Sequence, residues 1–152
     1  MALDAVGVLD AAVSHAAALG HFERVNGHEP ASAPGNGLTA AVWVQEIGPA
    51  PRGSGLTATT ARLVLNVRLY TSMLQEPADA IDPAMLAALD ALMSAYSGDF
   101  DLGGRIRNVD LLGQAGPPLS AQAGYLEQDG NTYRVFTVTL PLLINDVWDQ
   151  EA

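Results

Sequence analysis

The stretch Arg62-Leu-Val-Leu-Asn-Val-Arg-Leu-Tyr70 constrains the fold more than any other part of this chain. Its odd-numbered members, Leu63, Leu65, Val67 and Leu69, are all apolar. Arg62, Val64, Asn66, Arg68 and Tyr70 between them are mostly polar or amphipathic. Side chains alternate across an extended chain, so this pattern specifies a half-buried β-strand with one apolar and one wetter face. The apolar face needs a cover, and residues 81–98 supply it. Met85, Leu86, Leu89, Leu92, Met93 and Tyr96 recur at helical spacing, with Asp82 placed to cap, Pro83 at the first helical position and Gly98 at the end. Burying each of those large side chains contributes about 1.5–3 kcal/mol before conformational entropy is counted.

The remaining elements follow from the same reasoning. Residues 3–19 read as a first helix, with Val8, Leu9, Ala12, Val13, Ala16 and Leu19 on one face and Gly20 as the stop. Residues 22–25 alternate weakly, as a short edge strand would. Residues 38–47 read as a strand with Val42 and Val44 on one side and Trp43, Gln45 and Ile47 on the other. A Gly/Pro-rich connection then leads to the Arg62 strand. This antiparallel pair therefore carries a projecting loop over 48–60, with Arg52 and Thr57 in it, which is either idle or an arm that orders against a neighbour. Residues 105–112 read as a further main strand whose alternation slips near Asn108. Residues 113–124, with Pro117-Pro118, read as a second long loop. Residues 125–128 and 133–143 form a hairpin around Asp129-Gly130-Asn131, in which Pro141 limits pairing. An acidic tail at 145–152 surrounds Trp148. The expected architecture is α+β: one domain over 1–152, a two-layer sandwich of a mainly antiparallel twisted sheet with two helices packed on one face. The second face of the sheet, holding Trp43, Val64, Tyr70 and Val135, is not cleanly polar and suits contact with other subunits.

Composition limits the chemistry. All seven basic residues are arginines, against 17 carboxylates, for a formal net charge of −10. Such a chain repels DNA phosphates instead of neutralising them. Without cysteine there is no disulfide, thiolate nucleophile or Cys-based metal site, and without lysine there is no P-loop lysine or Schiff base. No apolar run is long enough to span a bilayer as a helix, and acidic residues occupy the start where a signal peptide carries positive charge, so a cytoplasmic protein is expected.

Gly53-Ser54-Gly55 lacks a nucleophile elbow, and Gly35-Asn-Gly37 lacks the rest of a dinucleotide fingerprint. His15, His21 and His28 match no zinc spacing. Asp99, Asp101, Gly104 and Asp110 match four positions of a calcium-binding loop. Gly103 stands where a fifth position needs an oxygen ligand, and a strand pattern follows where a helix is required. Neither a metal nor a cofactor is expected, and no catalytic residue can be assigned. Arg105 and Arg107 share one strand face, either as exposed charges or as partners for carboxylates of an adjacent subunit. Trp148 docks either on its own domain or on a neighbour.

Several segments together resemble the tail terminator proteins of long, flexible-tailed phages, the branch infecting actinobacteria in particular. They are Phe22-Glu-Arg-Val-Asn-Gly-His-Glu-Pro30, Gly37-Leu-Thr-Ala-Ala-Val-Trp-Val-Gln45, Gly55-Leu-Thr-Ala-Thr-Thr60, Arg68-Leu-Tyr-Thr71, Glu76-Pro-Ala-Asp-Ala-Ile-Asp-Pro83, Tyr96-Ser-Gly-Asp-Phe100 and Arg105-Ile-Arg-Asn-Val-Asp-Leu-Leu-Gly113. The order of these segments carries the resemblance, which is weakest over 114–124 and after Asn145. It implies a small α+β virion subunit without catalytic residues, assembled in the host cytoplasm into a hexameric ring at the tail–neck junction. Such a ring caps the head-proximal end of the tail tube and halts polymerisation of the major tail protein. It also offers a surface to the head connector, and DNA passes through its bore without specific binding. The residues expected at subunit or tube interfaces are Arg52, Thr57, Arg62, Arg68, Tyr70, Arg105, Arg107 and Trp148.

Overall fold

The computed structural model describes residues 3–20, 22, 24–27, 38–49, 59–72, 81–98, 106–113, 116–128 and 130–147. They form an α+β structure: a mixed sheet of six strands and two helices. The elements are α1 (Ala5–Ala18), β1 (Arg24–Asn26), β2 (Thr39–Pro49), β3 (Thr59–Ser72), α2 (Ile81–Gly98), β4 (Asn108–Val109), β5 (Ser120–Gln128) and β6 (Asn131–Val147). The strand order is β1-β2-β3-β6-β4, with β5 also paired to β6. The β1–β2 pairing is parallel, and the others are antiparallel.

The Arg62 strand is the interior of β3. Leu63, Leu65, Val67 and Leu69 are fully buried, and they face Leu142, Leu140, Val138 and Phe136 of β6 in register. Apolar residues of both helices join them in one core: Val8, Ala12 and Ala16 from α1, and Ile81, Met85, Ala88, Leu92 and Tyr96 from α2. Two details of α2 differ from the expectation. Leu86 is half exposed (52%), because Ala88 fills the core position on that side of the stripe. Asp82 is no cap and Pro83 is the third helical residue, not the first, since the helix already begins at Ile81; the Asp82 carboxylate instead takes a 3.0 Å ion pair from Arg134 Nε. In α1 the cap is Asp4, whose Oδ1 accepts from the Gly7 amide at 3.1 Å.

Four further expectations are corrected. Ile47 lies on the same face as Val42, because the β2–β3 register shifts between Val44 and Glu46 and Gln45 bulges out as an extra residue. Among the described residues of the stretch 105–112 only Asn108–Val109 forms strand, pairing with Leu143 and Leu142 of β6 beyond the part that β5 occupies. The second loop ends early: residues 120–124 belong to β5. Finally, β6 runs through Pro141 to Val147, so the tail begins as strand. Pro141 is tolerated because N–H and C=O of a strand residue point to the same side. Its carbonyl accepts from the Asp110 amide at 2.9 Å, so its missing donor faces the thinly paired β4 edge and costs the β3–β6 ladder nothing. At the hairpin Gln128 faces Asn131, and Gly130 has φ +79°, a conformation that favours glycine.

The two helices are tied by a buried hydrogen bond in which the Tyr96 hydroxyl donates to the Ala12 carbonyl at 2.9 Å, with the His15 ring 5.7 Å away. Burial pushes the Tyr96 phenol well above its ordinary value of 10.0. Tyr96→Phe is expected to lower the unfolding free energy by about 1 kcal/mol, read by urea denaturation near neutral pH. As pH rises past 10.0 the unfolded chain releases this proton before the folded one does. The associated stabilisation is therefore complete below that pH and lost above it. The phenylalanine variant is expected to lack this alkaline slope, and identical alkaline curves for the two proteins would show that Tyr96 is not its source.

Candidate interaction face of the sheet

The even-numbered residues of β3 project to the face away from this core, and the ladder aligns them in rungs across the sheet. Trp43, Asn66, Thr139 and Ser120 make one rung; Ala41, Arg68, Thr137 and Gln122 the next; Thr39, Tyr70, Val135 and Gly124 a third. Tyr70, Tyr133, Val135 and Ala41 form a small buried cluster with Trp43 and Leu126 packed against it. Beside it lies an open groove of about 550 Å³, lined among others by Gln45, Asn66, Arg68, Gln122, Thr137 and Thr139.

Arg68 stands at the centre of this face. Its Nε donates to Thr137 Oγ1 at 2.8 Å, and its guanidinium carbon sits 5.2 Å over the Trp43 ring. Both contacts hold the cation in place without neutralising it. Among the described residues no carboxylate pairs with Arg68, and the groove lining contains no Asp, Glu or His. In a chain of net charge −10 this is a local inversion of sign. Gln45, Asn66, Gln122 and Thr139 make no side-chain hydrogen bond among the described residues, so several donors and acceptors are open to a partner.

Arg62, on the same face of β3, is in a different state. Only about a tenth of its side chain is exposed, and its Nη1 donates to Glu46 Oε1 at 2.7 Å. Its Nε and Nη2 are buried with no hydrogen-bond partner among the described residues. The backbone of Gly116 lies directly over this guanidinium, where a Cβ would fall on Arg62 itself. Of the residues expected at interfaces, Arg62 and Tyr70 are thus buried within the subunit, Arg68 is half-buried on the groove, and Arg107 is exposed just before β4. Arg52, Thr57, Arg105 and Trp148 lie outside the described residues, as do the arm residues 50–58 and most of the calcium-like stretch. Sequence reasoning missed Gln45, Gln122, Thr137 and Thr139. Thr137 and Thr139 were legible as one face of a strand, and Gln45 as sharing a face with Trp43, but the position of Gln122 depends on a strand read as loop. Among the described residues no three His, Asp or Glu side chains group as metal ligands, and no helix is long and apolar enough to cross a membrane.

No protein-family model matches the chain, and no characterised protein matches it either.

The contact between Gly116 and Arg62 is testable by a double-mutant cycle. Gly116→Ala is expected to cost about 1–3 kcal/mol of stability through overpacking. With Arg62→Val already in place, the same change is expected to cost less than about 0.5 kcal/mol, because the obstructing group is gone. Equal costs in the two backgrounds, measured by urea denaturation, would refute the contact.

Proposed function

We propose that this chain is a non-catalytic virion subunit of the tail-terminator kind. In this reading residues 1–152 form one two-layer α+β domain, a mainly antiparallel twisted sheet with two helices on one face. Copies close side against side into a hexameric ring on the head-proximal end of a tail tube. The ring stops addition of the major tail protein and presents a surface to the head connector. The observation that carries the proposal is the sheet face around Arg68: several polar groups without intramolecular partners among the described residues, beside an apolar cluster, with no carboxylate or imidazole in the groove lining. A surface that is open, mixed and unsatisfied is suited to contact another protein. The ordered series of segments that resemble tail terminators supplies the kind of assembly.

The charge of the chain fits the same reading. A ring of subunits each carrying −10 lines its bore with carboxylates, and like charge keeps DNA from adhering during passage.

A second reading draws on the groove itself. Its volume falls in the range of small-molecule sites, about 300–1,000 Å³, and it is concave and polar. A binding module of this kind works as a monomer or dimer, and a screen of polar metabolites by thermal shift would raise its melting temperature. Other neck or tail-completion proteins, and the equivalent cap of a phage-derived injection machine, share the assembly class. They are separated from a terminator by whether the chain co-purifies with tube protein or with connector protein.

The decisive measurement is tube growth. Added to polymerising tube protein, the chain is expected to stop elongation at one end and shift the length distribution down, as counted in negative-stain images. Phage lacking this gene are expected to make tails of irregular length that do not join heads. Uniform, head-joined tails in that mutant would end the proposal. The electrostatic part is checked separately: replacing bore-facing carboxylates with amides is expected to slow DNA ejection, and unchanged ejection kinetics would remove it.

A further inference from the structure

We propose that the groove around Arg68 is the receptor for the acidic segment Trp148-Asp149-Gln150-Glu151 of a second copy of this chain. The inference rests on the reading that the protein acts by self-assembly, and it names the contact that joins one subunit to the next.

Three observations lead to this occupant. The first is charge: the groove carries an arginine without a carboxylate partner among the described residues and no acidic residue of its own, while the segment following β6 is acidic. Asp149 and Glu151 are two residues apart, so in an extended segment they present both carboxylates to one side. The second is chemistry. Gln45, Asn66, Gln122 and Thr139 offer amide and hydroxyl groups that both donate and accept, which is what the backbone of an extended peptide requires. The guanidinium of Arg68 is already stacked on Trp43 and steadied by Thr137, so little further ordering is needed to pair it.

The third observation is reach, and it excludes the segment of the same chain. Val147 pairs with Thr59, whereas Asn66 and Arg68 lie seven and nine residues further along β3. At about 3.3 Å per residue the groove is about 23–30 Å from the end of β6. Residues 148–151, fully extended, span at most about 14 Å. β6 passes Val135–Thr139 before it reaches Val147, so its end lies beyond the groove. The donor must therefore be another copy. Such a contact joins two different patches, one on each subunit. A head-to-tail interface of this type closes into a ring when its rotation allows it.

The absence of cysteine makes a clean test possible. Full-length Gln122→Cys and Gln150→Cys proteins, one bearing a mass tag, are mixed under mild oxidation. They are expected to form the mixed disulfide in about tenfold higher yield than Gln122→Cys mixed with Asp90→Cys on the exposed surface of α2. Adding Arg68→Glu to the Gln122→Cys protein is expected to bring the yield down to the control level. Combining Arg68→Glu there with Asp149→Arg and Glu151→Arg on the Gln150→Cys protein is expected to restore it. A yield no higher than control, insensitivity to Arg68→Glu, or failure of the reversed charges to rescue would each overturn the proposal. So would an intramolecular disulfide as the main product of a chain carrying both cysteines. A chain that still stops tube growth while failing these tests leaves the capping reading standing and removes this contact alone. Cross-linked copies that do not cap tubes would do the reverse.

Discussion

The pairing of β3 with β6 is the interaction on which the rest of the structure depends. Its register runs from Thr59 opposite Val147 to Ser72 opposite Tyr133, and every other strand joins the sheet through one of these two or through a strand already attached to them. The two strands alternate in phase. Leu63, Leu65, Val67 and Leu69 meet Leu142, Leu140, Val138 and Phe136 on the core side, while Asn66 and Arg68 meet Thr139 and Thr137 on the other. A slip of β6 by one residue against β3 would carry Thr137 and Thr139 into the core and Val138 and Leu140 out of it, burying polar groups without partners. The same register that secures the core therefore also sets the rungs of the interaction face. Stability and surface pattern are two consequences of one alignment.

Elements with a strong internal period were legible in advance. The stripe of α2 and the alternation of β3 are long and rich in large apolar side chains, and both occur where the pattern placed them. What escaped was decided by neighbours. Residues 120–124 read Ser-Ala-Gln-Ala-Gly, small and of weak strand preference, yet they extend because the outer edge of β6 is there to pair with. Residues 105–112 alternate better, and still form little strand among the described residues, where only Asn108–Val109 pairs with β6. The bulge at Gln45 changes which face Ile47 occupies, and only the paired strand reveals it. For the candidate site the consequence is direct. Arg68 and Asn66 could be placed on the second face from β3 alone, and Gln45 beside Trp43 from β2, whereas Gln122 reaches the groove through a strand that local pattern does not encode.

Arg62 and Arg68 show how one face can hold a structural and an available cation six residues apart. Arg62 is covered by the Gly116 backbone and paired to Glu46, so its charge is spent within the subunit. Two of its nitrogens lack partners among the described residues, which makes it a costly group to keep unless the covering backbone needs it there. Arg68 has the opposite arrangement. Its contacts are to a ring and a hydroxyl, which fix its direction and leave its charge for something outside.

That availability also sets how strongly such a face can bind. Arg68 is half-buried, and an ion pair formed there remains partly screened by water and salt, contributing about 0–1 kcal/mol in a single encounter. One contact of this strength does not hold two strongly acidic proteins together against their mutual repulsion. In the proposed ring, however, each subunit is both donor and receptor, and the last contact to form is intramolecular, with an effective concentration far above that of free chains. Weak individual contacts then produce an assembly that is unstable as an open fragment and stable when closed. A template that holds several copies side by side, such as the end of a tube, supplies what the isolated pair lacks. A subunit required to act at that end, and not to aggregate beforehand, is served by a contact site of this modest kind.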